Sequence, residues 1–142
     1  MAGKRYVERC LWEYRENIAM LERLCWLLSI VRSVRGHSYE AHVAGNVSDP
    51  VADVVHRIMQ LEKRILKTWE KVNPVNRLQK DIAAGAHQDR YLRDVLKMRY
   101  MEHVSVDAIR DVLHISSSTY GRVKQKLLKV AGKYFGLELS EE

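Results

Sequence analysis

The sequence predicts an all-α protein, with an N-terminal long helical hairpin followed by a C-terminal domain of three short helices. Apolar residues recur every three or four positions over most of the chain, which is the period of an amphipathic helix. Serine, aspartate or asparagine precedes several of these apolar stretches as a helix cap, twice with proline directly after it. After Gly85 the apolar stretches become short, which separates the three small helices from the longer ones.

A coiled-coil-like pattern near the N-terminus predicts one long helix over residues 4–33. Its apolar residues alternate four and three positions apart and are Val7, Leu11, Tyr14, Ile18, Leu21, Cys25 and Leu28. This seam fits an intramolecular hairpin or a homodimer interface, and the pattern does not choose between them. Cys10 and Cys25 would lie about 22 Å apart at about 1.5 Å per residue, so they cannot form a disulfide within one helix.

Turn-forming residues then divide the first half of the chain. Residues 36–48 are rich in glycine, serine and asparagine and predict a loop. Asp49 and Pro50 predict the start of the second long helix, with the carboxylate as cap and proline at the first helical position. Asn73-Pro74 repeats this signal and predicts either a kink or a new helix.

A run of small residues at 83–86 marks the predicted domain boundary. We therefore expect a helical hairpin and oligomerisation region over residues 1–86 and a second domain over 87–142. In the second domain the first helix should run from about Gln88 to Glu102. Ser105 should cap the second helix, whose inward residues should be Ile109, Val112 and Leu113. Ser116 should cap the third helix, whose buried stripe should comprise Tyr120, Val123, Leu127, Val130 and Tyr134.

The positive charge is concentrated in the last of these helices. The formal net charge is +6, and residues 119–136 carry no acidic side chain beside Arg122, Lys124, Lys126, Lys129 and Lys133. This excess favours a polyanionic partner. Two short helices joined by a turn of about three residues, the second of them basic, are typical of a DNA-binding helix-turn-helix.

Side chains that point away from the buried stripe of the third helix are the candidate contacts with double-stranded DNA. An arginine such as Arg122 can bind guanine through two hydrogen bonds, and Gln125 can bind adenine in the same way. Lysines of this helix are expected to contact phosphates. The predicted DNA-binding residues are Ser117, Ser118, Thr119, Gly121, Arg122, Lys124, Gln125, Lys126 and Lys129.

Two segments resemble a family of regulators. Residues 113–124, LHISSSTYGRVK, resemble the S-x-S-T-Y-x-R-x-K signature of the ArpU family. Residues 96–100, LKMRY, are similar to the L-x-x-R-Y stretch of ArpU and RinA proteins and of region 4 of sigma-70 factors. The resemblance implies a sequence-specific transcriptional regulator, encoded by a phage or prophage, that activates late genes. Two positions depart from these families. His114 stands in the turn where they often have glycine, and Gly121 stands where the ArpU pattern commonly has a bulky residue.

Other classes of protein fit the sequence less well. A phage DNA-packaging adaptor of the small-terminase type also combines a helix-turn-helix with helical oligomerisation segments. A helical module that binds RNA polymerase or another protein is a third alternative. The six histidines are scattered, and neither metal-ligand spacing nor a glycine-rich phosphate loop occurs, so we expect no catalytic site, metal or cofactor.

The expected setting follows from the same pattern. No signal peptide or long uncharged apolar run occurs, so the sequence predicts a cytoplasmic protein with no membrane partner. The resemblance to phage and prophage regulators implies that the cell is a bacterial host. Besides DNA, the expected partners are a second copy of the chain and RNA polymerase.

Overall fold

A computed structural model describes residues 2–41 and 50–139, and within these ranges the chain forms helices and turns but no strand. A π-helical segment, Leu96–Met101, continues the fourth helix. The predicted all-α class is therefore confirmed. The helices are α1 (Ala2–Trp12), α2 (Tyr14–Ala41), α3 (Pro50–Ala83), α4 (Leu92–Val95), α5 (Val106–Leu113) and α6 (Ser117–Tyr134).

The chain divides into two compact units. The first unit combines residues 1–16 with residues 71–142, and the second unit comprises residues 17–70. This division differs from the predicted boundary after residue 86. The reason is that the two chain ends share one core, in which Val7 of α1 and Val75 of α3 are buried together with residues of α4 and α6.

The core of the first unit is built around the buried stripe of α6. Tyr120, Val123 and Leu127 are buried as predicted, and Val130 and Tyr134 are partly buried against them. The other buried members of this core are Val7, Leu11, Val75, Leu78, Leu92, Val95, Leu96, Tyr100, Ile109, Leu128 and Ala131.

The inward position predicted for Val112 is wrong. Its side chain is 62% exposed, whereas Ile109 is fully buried and Leu113 is partly buried against the core. Ile109 and Leu113 lie four residues apart and share one side of α5. At about 3.6 residues per turn, Val112 and Leu113 lie on opposite flanks of Ile109, and only the Leu113 flank packs against the core.

The second unit is a pair of packed helices with its own small core. Leu24 and Leu28 of α2 are buried against Ile58 and Leu61 of α3. An exposed ion pair joins Arg32 to Glu62 at 2.6 Å. Large apolar side chains of this unit remain exposed, among them Trp26, Met59, Leu66 and Trp69.

The predicted N-terminal helix is interrupted once and ends later than predicted. Glu13 separates α1 from α2, although its N–H still donates to the carbonyl of Arg9 at 2.8 Å.

The predicted loop over residues 36–48 is wrong for residues 36–41, which belong to α2. A single internal glycine costs a helix about 1 kcal/mol, which its neighbours can offset, so Gly36 does not end α2. Residues 42–49, including the predicted cap Asp49, lie outside the described residues.

The third helix begins at Pro50, as predicted, and continues through Pro74 to Ala83. The signal at Asn73-Pro74 therefore does not start a new helix. Proline has no N–H to donate within the helix. Pro74 is buried, as are its neighbours Val72 and Val75, so packing against the core accompanies the lost backbone bond.

The predicted helix over residues 88–102 is shorter and differently wound. Asp89 forms a turn in which its side chain accepts the N–H of Tyr91 at 3.0 Å and its carbonyl accepts that of Leu92 at 3.2 Å. These bonds delay the start of α4 to Leu92. Beyond Val95 the helix widens, and the N–H of Glu102 donates to the carbonyl of Lys97, five residues earlier, at 2.9 Å.

Histidines occupy three of the left-handed backbone positions in the turns, and Gly85 and Gly136 occupy others. His87, His103 and His114 have φ angles of 57°, 55° and 55°. His114 ends α5 with ψ at 48°, and its N–H donates to the carbonyl of Arg110. Histidine adopts this conformation more readily than branched residues do, which explains how α5 can turn into α6 without a glycine at this position.

Candidate nucleic-acid interface

The start of α6 is fixed by a serine cap. Ser116 has extended backbone, and its Oγ accepts the N–H of Thr119 at 3.2 Å, as the sequence predicted. The same oxygen lies 3.1 Å from Oγ of Ser118 and donates to Oγ1 of Thr119 at 3.0 Å. Because the cap satisfies one backbone donor of the first turn, the remaining N–H groups and the exposed Ser117 and Ser118 are available to an external ligand.

One side of α6 forms a shallow groove, which we call the α6 face. Its polar members recur three or four residues apart on the side away from Tyr120, Val123 and Leu127, and the partly buried Val130 borders it. Four of them are basic and none is acidic. They are Ser118, Gly121, Arg122, Gln125, Lys126, Lys129, Val130 and Lys133.

Arg122 lies near the N-terminal end of the α6 face and is exposed. Its guanidinium lies 3.4 Å from Oγ1 of Thr119, which is long for a hydrogen bond to nitrogen. This weak contact orients the side chain along the helix and leaves most of its five donors unused. Arg122 can therefore make a two-bond contact with a planar acceptor pair.

Two other members of the α6 face are held by neighbouring elements. Oε1 of Gln125 accepts a hydrogen bond from Nζ of Lys4 in α1, and Lys126 pairs with Asp89 at 3.0 Å. Burial opposes ionisation of Asp89, but the Tyr91 N–H and the Lys126 ammonium outweigh it, so the pKa of Asp89 is lowered. Because the Lys126 side chain is half exposed, the pair is screened by solvent and contributes little to stability.

Three predicted DNA-binding residues lie outside the α6 face. Ser117 is exposed in the first turn, and Thr119 is engaged by the Ser116 cap. Lys124 points to the other side of the helix and pairs with Glu8 of α1 at 3.1 Å. The structure thus places six of the nine predicted residues together on one face.

Glu8 links three helical elements of the first unit. Its Oε2 accepts the hydroxyl of Tyr100 at 2.7 Å and pairs with Lys124. Burial opposes ionisation of Glu8, but the bonds from Tyr100 and Lys124 outweigh it and lower its pKa. Burial and the bond to Glu8 raise the pKa of Tyr100. The carboxylate therefore connects α1, the π-helical segment and α6.

The contribution of α1 to this region was not predicted from the sequence. Lys4, Arg5 and Glu8 line a second groove together with Lys124, Gln125 and Leu128 of α6. The apolar seam of the N-terminal segment shows that one side of α1 is buried. It does not show what that side packs against, so no local signal identifies α6 as the neighbour.

The fold and this site define an all-α protein with an exposed, basic helix face. The chain belongs to the family described as "Protein of unknown function (DUF1492)", which matches residues 33–132. The match covers most of α6 and does not include α1. Neither a curated protein nor a solved structure matches the chain.

Within residues 2–41 and 50–139 there is no group of three or more histidine, cysteine or acidic residues that could hold a metal ion. In the same part of the chain, none of the helices has the length and apolarity required to span a bilayer.

Gly121 tests whether the α6 face is open. A Cβ atom built there meets nothing within 4 Å, and alanine is the better helix former by about 1 kcal/mol. We expect Gly121→Ala to raise the free energy of unfolding by about 0.5–1 kcal/mol in urea denaturation. As a matched control, Gly132→Ala should not be stabilising, because its Cβ would lie 2.9 Å from Cδ1 of Leu139. A destabilised Gly121→Ala variant would show that this side of α6 is covered.

Proposed function

We propose that this protein is a sequence-specific regulator of transcription that binds double-stranded DNA, with α5 and α6 as a helix-turn-helix and α6 in the major groove. The observation that carries the proposal is the α6 face, where Arg122 and Lys133 lie among lining residues of which, in the described part of the chain, none is acidic. A surface with these cations favours the binding of polyanionic DNA, and an acidic side chain there would repel the phosphates.

The dimensions of α6 suit the groove. A helix with its side chains is about 10–12 Å wide, and the major groove of B-form DNA is about 12 Å wide. In this arrangement Arg122 binds the O6 and N7 acceptors of a guanine, and Ser118 contacts the backbone or a base edge. Lys129 and Lys133 extend along the helix toward phosphates. The first turn of α6 adds N–H donors that favour a phosphate at its start.

The proposal includes a homodimer held by the second unit. Trp26 and Met59 are each 62% exposed and Leu66 is 59% exposed, and a second copy would remove these apolar side chains from water. Two α6 helices would then bind adjacent turns of a promoter, and the bound dimer would recruit RNA polymerase. Sedimentation as a monomer at micromolar concentration would remove the dimer from this proposal.

The resemblance of residues 113–124 to the ArpU signature supports the biological role. By that resemblance the regulator is encoded by a phage or prophage and activates late genes in the cytoplasm of a bacterial host. Arg122 and Lys124 are the basic residues of the signature. Since Lys124 pairs with Glu8, the proposal gives base contact to Arg122 and a positioning role to Lys124.

Selection from random duplex DNA tests the proposal, performed in parallel with wild type, Arg122→Ala and Arg93→Ala. Arg93 is an exposed arginine of α4 outside the α6 face. We expect wild type and Arg93→Ala to enrich the same motif. Arg122→Ala should lose the preference at one or two positions and bind the best site about 1–3 kcal/mol more weakly.

Two outcomes would contradict the proposal. Salt-dependent binding without an enriched motif would favour a DNA-packaging adaptor, because such a protein needs phosphate contacts more than base contacts. Absence of binding at low salt would favour a module that binds RNA polymerase or another protein. An Arg122→Ala variant with an unchanged motif would remove Arg122 from the base-contacting residues.

A further inference from the structure

We infer that Arg5 and Arg9 of α1 bind the DNA backbone beside the major groove that α6 enters, so that the DNA-binding surface extends onto the N-terminal helix. This inference rests on the proposed function and assigns a second part of the same interface. Arg5 and Arg9 lie one helical turn apart, so they project from the same side of α1. Both are exposed.

The groove between α1 and α6 is continuous with the α6 face. Gln125 belongs to both surfaces, and its carbonyl oxygen accepts a hydrogen bond from Lys4. Arg5 lines this groove beside Lys124 and Gln125. A duplex lying on the α6 face therefore comes close to the exposed side of α1.

Helix packing places α1 at the distance of a phosphate row. Packed helices lie about 8–10 Å apart between their axes, and half the width of the major groove is about 6 Å. A helix that flanks the one in the groove thus lies over the sugar-phosphate wall. Arginine side chains are long and make two-bond contacts with phosphate oxygens, so Arg5 and Arg9 can reach this wall.

Other charges of the region are already engaged, which leaves Arg5 and Arg9 as its principal available cations. Lys124 pairs with Glu8. Arg99 donates to the carbonyl of Val104 at 3.1 Å and lies 4.8 Å from the centre of the Trp12 ring. By contrast, neither Arg5 nor Arg9 forms an ion pair with another described residue.

The wider groove that contains both arginines is positive. Its charged lining residues comprise four basic and two acidic side chains, since Arg5, Arg9, Arg99 and Lys124 accompany Glu8 and Glu13. The two acidic side chains do not neutralise the groove. Glu8 is paired with Lys124, which leaves three arginines and Glu13. This groove therefore favours a phosphate-rich ligand over a positively charged one.

A salt titration separates phosphate contacts from base contacts. In the double variant Arg5→Ala/Arg9→Ala, the affinities for the selected duplex and for an unrelated duplex should fall by the same factor, about 30-fold at 0.15 M salt. The slope of log K against log salt should become shallower by about 1.8, since each phosphate contact contributes about 0.9. The enriched motif should stay unchanged, because phosphate contacts carry no base preference.

The matched control replaces two exposed arginines of α3, as Arg57→Ala/Arg64→Ala, and should keep the wild-type slope. Arg5→Lys/Arg9→Lys retains the charges and should also keep most of it. An unchanged slope in Arg5→Ala/Arg9→Ala, together with a relaxed motif in Arg122→Ala, would overturn this inference alone. Wild-type protein that binds neither duplex at about 50 mM salt would instead overturn the proposed function with it.

Discussion

Replacing Leu127 with alanine is expected to lower the free energy of unfolding of the first unit by about 3 kcal/mol. Leu127 is fully buried and belongs to the stripe that holds α6 to the core. The change removes buried methyl groups and leaves a cavity that the surrounding side chains fill only in part. Because the same stripe aims the α6 face outward, DNA binding should fall in parallel with the folded fraction.

Urea denaturation of the full chain, followed by circular dichroism, measures this loss. Val112→Ala is the matched control, since Val112 is an aliphatic residue of the neighbouring α5 that is 62% exposed. It should change the free energy of unfolding by less than about 0.5 kcal/mol. A loss below about 1 kcal/mol for Leu127→Ala would contradict the assignment of the buried and exposed sides of α6.

Removing the Glu8 carboxylate should cost about 2 kcal/mol, because it leaves the buried Tyr100 hydroxyl without its acceptor. Tyr100 is 1% exposed, and its hydroxyl lies 2.7 Å from Oε2 of Glu8. Glu8→Ala tests this cost. Glu8→Gln keeps an acceptor for Tyr100 while removing the charge that pairs with Lys124, so it should be the milder change. Equal losses for the two variants would show that charge alone stabilises the network.

The pH dependence of stability follows from the lowered pKa of Glu8. A carboxyl whose folded pKa is depressed stabilises the protein at pH values above its unfolded pKa of about 4.3. That contribution is lost as the pH falls through the lower folded pKa. The difference in free energy of unfolding between wild type and Glu8→Gln should therefore be constant near neutral pH and shrink in acid. A difference that grew in acid would reverse the sign assigned to Glu8.

The sequence predicted the parts of the fold that depend on neighbouring residues. The spacing of Tyr120, Val123 and Leu127 identified the buried side of α6, and Ser105 and Ser116 were identified as caps from their positions before apolar periods. Both serines accept the N–H of the residue three positions later. These features need only helical geometry and local hydrogen bonding, which a single sequence contains.

Features that depend on contacts distant in sequence were not predicted. An apolar seam shows that Val7 and Leu11 are buried, but several neighbours could bury them, and α1 joins the first unit rather than a separate hairpin. The partner of Lys124 is Glu8, almost at the other end of the chain. The π-helical winding after Val95 also escaped prediction, since helical periodicity does not distinguish hydrogen bonds to the fourth residue from those to the fifth.

In a short helix, the sequence did not show which side is buried. In α5, which has eight residues, apolar side chains at Val106, Ile109, Val112 and Leu113 surround more of the helix than one buried side needs. Two turns contain too few repeats to show which of them is left outside. The buried side of α6 was predicted more accurately, because its 18 residues repeat the apolar spacing often enough to distinguish the buried side from the other.

The most direct test of the central claim, that α6 enters DNA, is an NMR titration of the ¹⁵N-labelled full chain with the selected duplex at about 50 mM salt. Phosphate and base contacts change the environment of nearby amides and strengthen at low salt. We expect the largest shift changes on residues 117–129 of α6, with smaller ones around Arg5 and Arg9. Largest changes in residues 51–70 of the second unit, with those of α6 unchanged, would contradict it.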